Sequence, residues 1–285
     1  MESFYVNLPS NVTTFHSDNS INRYRTLLPS PLLLDSSWRV GLAEIHYTNS
    51  WFNLREYNYI NIVSFDDPTK QLIKTVILPP GRYSDINYLI QLITIKTTQR
   101  SSDPGCIITV MPQLGHNATS RRLTMKFGLT QQREYVIYSF TKELEDLLGV
   151  TRGWYSREHD LLQHQPYVSE SPNEVQPEVV VEDDVLESRR SYDMSAGIHS
   201  LMVYSDVVDY SLVGDCKAQL LRVVNIPSSS SFGDTVNIVY EKPYYLPLSN
   251  REISSIEIDI KDDSAVPVDF QFGRVEVTLH FVRYG

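Results

Sequence analysis

Apolar and polar residues alternate through most of this chain, and the alternation predicts strands. Phe4, Val6 and Leu8 are separated by Tyr5 and Asn7. The pattern continues through "RYRTLLPSPLLLD", which ends at Asp35, and through 59–65, 74–78, 106–111, 122–127 and 134–140. "WRVGLAEIHYT" (38–48) is apolar on both parities, as expected of a strand covered on both faces. More strands are expected at 199–208, 218–226, 234–241 and 253–261. Turn residues punctuate the series: Asp66-Asp67-Pro68, Asp103-Pro104-Gly105, Pro227 with the serines after it, and Asp262-Asp263. Two stretches read at helical period instead. "PPGRYSDINYLIQLITIKT" has Ser84 or Asp85 as N-cap and places Ile86, Leu89, Ile90 and Ile93 on one face. "FTKELEDLLG" has Thr141 as N-cap, Glu143 in the positive first turn, a Leu144, Leu147, Leu148 stripe and Gly149 as C-cap.

The closing stretch "DFQFGRVEVTLHFVRYG" (269–285) changes phase. Val268, Phe270 and Phe272 are even-numbered, while Val275, Val277, Leu279 and Phe281 are odd, and Gly273 lies at the change. A slip at a glycine predicts a β-bulge at Gly273 that lets both sets face one core. The alternative is two short strands with a turn at that residue.

Neither helix recurs between parallel-strand patterns, which argues against a doubly wound α/β fold. The chain reads as mainly β, an antiparallel sandwich or barrel with two short accessory helices. One segment departs from it. From Glu158 to Glu187 there is no Lys or Arg, and the acids are Glu158, Asp160, Glu170, Glu174, Glu178, Glu182, Asp183, Asp184 and Glu187. Pro166, Pro172 and Pro177 interrupt the run. Like charges repel and prolines block ladders, so residues 153–194 are expected to be an exposed acidic insertion. That leaves 1–152, with both helices, as the first part of the core and 195–285 as the second. A disordered linker is the alternative for 153–194.

Composition narrows the function. The 285 residues carry a net charge of −10 and are 41% hydrophobic, enough for a sizeable core and the wrong sign for gripping phosphates. Cys106 and Cys216 form no disulfide framework and read as small buried hydrophobes. The N-terminus lacks a basic n-region and an apolar h-region, so no signal peptide is expected, and "LLPSPLLL" is too short and broken to span a membrane. The sequons at Asn11 and Asn117 are therefore expected to stay unmodified. "LVGDCKA" lacks the second glycine and the Ser/Thr of a phosphate loop. His159 and His164 are five apart, off the spacing of a helical metal pair. Asp259, Asp262 and Asp263 could suggest calcium, but Asp259 alternates with Ile256, Ile258 and Ile260, and the other two read as turn residues. No catalytic residue, metal or cofactor is expected. The 18 tyrosines and 10 phenylalanines suit a sandwich core and protein–protein surfaces.

Six stretches in order carry a resemblance: "FYVNLPSN", "WRVGLAEIHYTNSWFNL" (38–54), "LPPGRYSDINYLIQLI" (78–93), "FTKELEDLLGV" (140–150), "YSDVVDYSLVGDCKAQLLRVVNI" (204–226) and "SSIEIDIKDDSAVPVDFQFGRVEVTLHF" (254–281). Together they resemble the minor capsid, or penton, proteins of Polinton (Maverick) elements and their adintovirus relatives, over most of the chain except about 151–198. The resemblance implies a single jelly roll that forms a homopentamer at the five-fold vertices of an icosahedral capsid. It also implies a double jelly-roll major capsid protein as neighbour, a place in the virion after assembly inside the host cell, and no catalytic residues. It makes the acidic insertion a candidate for meeting a host receptor. A jelly-roll binding module, lectin-like or cupin-like, is the alternative, though a cupin enzyme would want clustered histidines that this sequence lacks.

Overall fold

The structure is a computed structural model that describes residues 2–11, 18–64, 72–98, 113–126, 136–150, 181–182, 185–188, 190–195 and 198–284. Its elements run β1 (Ser3–Pro9), β2 (Arg23–Leu33), β3 (Trp38–Thr48), β4 (Asn58–Ser64), β5 (Leu72–Leu78), α1 (Ile86–Thr98), β6 (Gln113–Asn117), β7 (Arg122–Lys126), β8 (Val136–Phe140) and α2 (Lys142–Leu148). They continue with β9 (Val181–Glu182), β10 (Val185–Glu187), β11 (Ser200–Ser205), β12 (Ser211–Val213), β13 (Cys216–Ala218), β14 (Leu220–Asn225), β15 (Thr235–Val239), β16 (Leu246–Pro247), β17 (Glu252–Lys261) and β18 (Val275–Arg283). The strand expected at 106–111 lies outside the described residues. Two compact units result: Met1–Phe52 with Gly197–Gly285, and Asn53–Ala196.

The first unit holds two antiparallel sheets, β1-β18-β3-β15, to which β16 adds beside β3, and β14-β11-β17-β2. Its principal strands in chain order are β1, β2, β3, β11, β14, β15, β17 and β18. Numbered one to eight in that order, they give sheets 1-8-3-6 and 5-4-7-2. That interleaving of two Greek keys is a single jelly roll. The alternation that predicted the strands fills its core. Val275, Val277, Leu279 and Phe281 of β18, Ile256, Ile258 and Ile260 of β17, and Leu201 and Val203 of β11 are all buried. β3 contributes Val40, Leu42, Ile45 and Tyr47. The parity of β3 changes because Ala43 is an extra residue between Leu42, opposite Leu279, and Glu44, opposite Thr278. That bulge accounts for apolar residues on both parities of this strand. The buried Tyr24 of β2 donates its hydroxyl to the Leu8 carbonyl of β1 at 2.9 Å and so ties one sheet to the other.

The second unit has its own core. Sheets β5-β4-β8 and β6-β7-β10-β9 pack with both helices around Leu54, Ile60, Leu78, Leu89, Ile93, Leu123, Met125, Leu144 and Leu148. The expected faces of both helices are buried. Asp85 caps α1, its carboxylate accepting the Asn87 N–H at 3.0 Å. Gly149 caps α2 in the left-handed conformation, φ +70°. Thr141 stands at the N-cap position of α2 but does not cap it. Its hydroxyl donates to Asn58 Oδ1 instead. Glu143 also turns outward, accepting the Arg55 N–H at 2.7 Å and Asn58 Nδ2–H at 2.8 Å, so the helix start organises the loop before β4.

This division differs from the expected one. Both helices and the strands from 58 to 140 belong to a unit inserted between the third and fourth jelly-roll strands, not to the first part of the jelly-roll core. The excursion also ends earlier than 194. In β10, Leu186 pairs with Met125 and Glu187 with Thr124. The buried Ser188 donates its N–H to Leu123 O at 2.8 Å and accepts the Leu123 N–H on Oγ at 3.0 Å. Asp193 N–H reaches Leu147 O at 2.8 Å, and Tyr192 and Met194 pack on the core. Charge misled here because Glu187 is compensated, by Asn117 Nδ2 at 3.1 Å and Arg122 at 3.9 Å. Glu182 lies on β9, and Glu170, Glu174, Glu178, Asp183 and Asp184 lie outside the described residues.

Candidate interaction surface

Gly273 does not sit in a ladder. β18 begins at Val275, opposite Tyr47, and upstream Phe270 makes an isolated bridge with Trp51. Residues 271–274 therefore span the same interval as 48–50, and the extra residue is absorbed in a bend where Gly273 has φ +90°. The expected strand bulge is thus corrected to a bend outside the strand. The phase slip is real, since Phe270 and Val275 are both buried. Phe272 is not part of that core: it is 46% exposed.

The exposed Phe272 has company. Its ring meets Phe232 edge-on at 5.6 Å, and Phe232 lies 6.1 Å from Phe52. Three connections supply these rings: the exit of β3, the β14–β15 loop and the β17–β18 loop. Their backbones are tied together. Ser50 Oγ donates to Phe272 O at 2.7 Å, Asn49 Nδ2 donates to Ser230 Oγ at 3.0 Å, and the Gly233 N–H donates to Asn49 O at 2.7 Å. A cluster of half-exposed rings on a fixed frame suits contact with another macromolecule. Its sequence signal was Phe232 inside a Ser/Gly turn, where no core position would fall.

A second aromatic group lies on the outer face of the β1-β18-β3-β15 sheet. The His280 ring stacks on Tyr5 at 4.2 Å, and its Nδ1 is 2.9 Å from the Tyr245 hydroxyl. Its Nε2 is buried without a hydrogen-bond partner among the described residues. Desolvation therefore holds the His280 pKa below its ordinary value. A histidine kept neutral by folding contributes stability that is full above about pH 6.5 and is lost as pH falls through the unfolded and then the folded pKa. The melting temperature is expected to decline between pH 7.5 and 5.5, and His280→Gln should flatten that decline. An unchanged slope in the variant would assign the pH response to other groups.

The remaining polar candidates have structural tasks. Asp259 faces Lys261 at 3.4 Å. The buried Asp262 accepts the N–H groups of Ser264 and Val266 at 2.9 and 3.0 Å, and Asp263 accepts those of His199 and Ser200 at 3.3 and 3.1 Å. Asn117 of the second sequon spends its side chain on a turn, accepting from Thr119 and Ser120 while donating to Glu187. Cys216 is exposed on β13 rather than buried; Cys106, His159 and His164 lie outside the described residues. No described helix is long and apolar enough to cross a membrane.

Fold and surface together define a jelly-roll protein with an inserted second unit and exposed clusters of aromatic rings. No family model matches the chain, and no curated protein matches it in sequence. Its structure is similar to the crystal structure of the mavirus penton protein, at 12% sequence identity and a TM-score of 0.50, over 99% of this chain and 100% of that one. The likeness is one of fold.

Proposed function

We propose that this protein is a structural vertex subunit, a penton, of an icosahedral capsid. It works as a homopentamer, with a double jelly-roll major capsid protein around it and no catalytic role. The observation that carries the reading is the end-to-end likeness of a single jelly roll with its inserted unit to the mavirus penton protein. The ordered stretches resembling Polinton and adintovirus pentons support it independently. In this reading the protein resides in the virion, assembled within the host cell. Sedimentation and electron microscopy of the purified protein test it. A mass five times the 32.8 kDa of the chain, with five-fold rings, is expected. Monomer at every concentration, with and without a major capsid protein, would overturn it. A monomer that binds glycans would favour a jelly-roll binding module.

A further inference from the structure

The jelly roll has four sheet edges, and they are not treated alike. The edge at β2 is blocked. Asn19 mimics a neighbouring strand on Arg25, donating to its carbonyl at 3.0 Å and accepting its N–H at 2.9 Å. Ser20 engages the N–H and the carbonyl of Arg23 in the same way. Residues 28–31, with Pro29 and Pro31, loop out between Leu27, opposite Ser255, and Leu32, opposite Ile253. The edge at β14 is broken as well. Its register skips Leu221, and its Arg222 guanidinium lies over Tyr240 at 3.6 Å and Tyr244 at 4.3 Å. Bulges, charges, prolines and covering groups are the devices by which proteins keep edges from pairing.

β1 from Ser3 to Leu8 and the whole of β15, the two edges of the other sheet, show none of these devices among the described residues; Pro9, which closes β1, limits the open stretch of that edge to the residues before it. Both ladders are unbroken, Ser3–Pro9 along β18 and Thr235–Val239 along β3, and neither strand carries a charge. The hydrogen bonds flanking each ladder fix its parity. Tyr240 N–H to Ala43 O and Asn49 N–H to Asp234 O turn the even residues of β15 toward β3. The N–H and C=O of Thr235, Asn237 and Val239 then point away from the sheet. Arg283 N–H to Glu2 O and Ser10 N–H to Val275 O do the same for β1, leaving Ser3, Tyr5 and Asn7 pointing outward.

We infer that β15 of one copy pairs with β1 of the next, so that the β1-β18-β3-β15 sheet continues antiparallel from subunit to subunit. This rests on the vertex reading and names the contact that would build the ring. Directions agree: neighbours alternate along the sheet, so β1 and β15 run oppositely and an added copy preserves the alternation. The outward groups match in number and spacing, with Ser3 opposite Val239, Tyr5 opposite Asn237 and Asn7 opposite Thr235. Their side chains all stand on the solvent face, and Tyr5 and Val239, 63% and 64% exposed, become diagonal neighbours. A second copy is the fitting occupant because pairing β15 with β1 uses both open edges. It is heterologous and can close into a ring, whereas β1 with β1 or β15 with β15 stops at two.

Asn237→Pro tests the pairing. It removes an N–H aimed outward while leaving the β3 ladder intact, a position where proline is tolerated. The variant should melt within a few degrees of the parent yet sediment as monomer where the parent is a pentamer. A crosslink gives a readout independent of proline. In a background with Cys106 and Cys216 replaced by serine, Tyr5→Cys with Asn237→Cys places thiols on facing residues of two copies. Within one copy they are three strand spacings, roughly 14 Å, apart across the sheet and further apart still along it, since Tyr5 lies level with Gly41 of β3 and Asn237 with His46, too far for a disulfide. Oxidation should give a ladder of linked species ending at five. A pentameric parent with no crosslink and a pentameric Asn237→Pro variant would overturn the edge pairing and leave the vertex reading standing. A parent that never assembles would overturn both.

Discussion

Gly149→Ala should destabilise the second unit by about 3–5 kcal/mol, among the largest effects of any single methyl in this protein. Two costs combine. The residue has φ +70°, where an L side chain costs about 1–2 kcal/mol. A Cβ there would also stand 2.4 Å from Arg190 O and 2.6 Å from Ser191 O. Both are backbone carbonyls, and the segment is pinned by the Arg190 N–H bond to Gly149 O at 3.0 Å, so it cannot step aside without losing that bond. Hydrogen exchange locates the damage. Amides of α2 and of 185–195 should exchange faster while those of β17 and β18 keep their protection. Uniform loss across both units would mean that they unfold together, and an unchanged melt would remove the 190–191 segment from the helix cap.

That contact also shows where the sequence was legible and where it was not. Gly149 could be read as a C-cap because the local signals agree: a leucine stripe, then glycine. Nothing local says that residues forty positions later close over it. The same limit applies to the whole inserted unit. "YINIVSF" and "RLTMKF" alternate as faithfully as "ISSIEIDIK", because a period of two reports that one face is buried and not which core buries it. Strands of two separate cores therefore look like one series in the sequence. The jelly-roll pairings that tell them apart join Leu8 to Val277 and Tyr47 to Val275, contacts across more than two hundred residues. The acidic run misled for a related reason. Net charge is a sum along the chain, whereas burial depends on partners in space, and Glu187 found Arg122 and Asn117. The aromatic surplus pointed to contact surfaces, but placing Phe52, Phe232 and Phe272 together required three loops from distant parts of the sequence.

Gly273 shows the same division between parity and geometry, and its replacement should cost the jelly roll about 3–5 kcal/mol. The parity change from Phe270 to Val275 fixed the position of a fault; whether it was a bulge or a bend depended on the backbone opposite. In the bend, φ is +90° and an added Cβ would lie 2.3 Å from Thr48 Oγ1 and 2.6 Å from Thr48 Cβ. Here, unlike at Gly149, the obstacle is a side chain, so the two costs separate experimentally. Gly273→Ala alone should lower the melting temperature by both. Adding Thr48→Gly should return the packing part, a coupling of about 1–3 kcal/mol beyond additivity, while the cost of the positive φ stays. The cycle is read from denaturant midpoints at constant slope. Strict additivity would mean that Thr48 does not face Gly273. A Gly273→Ala variant as stable as the parent would mean that the chain crosses from Phe270 to Val275 by another path, with no left-handed residue at the fault.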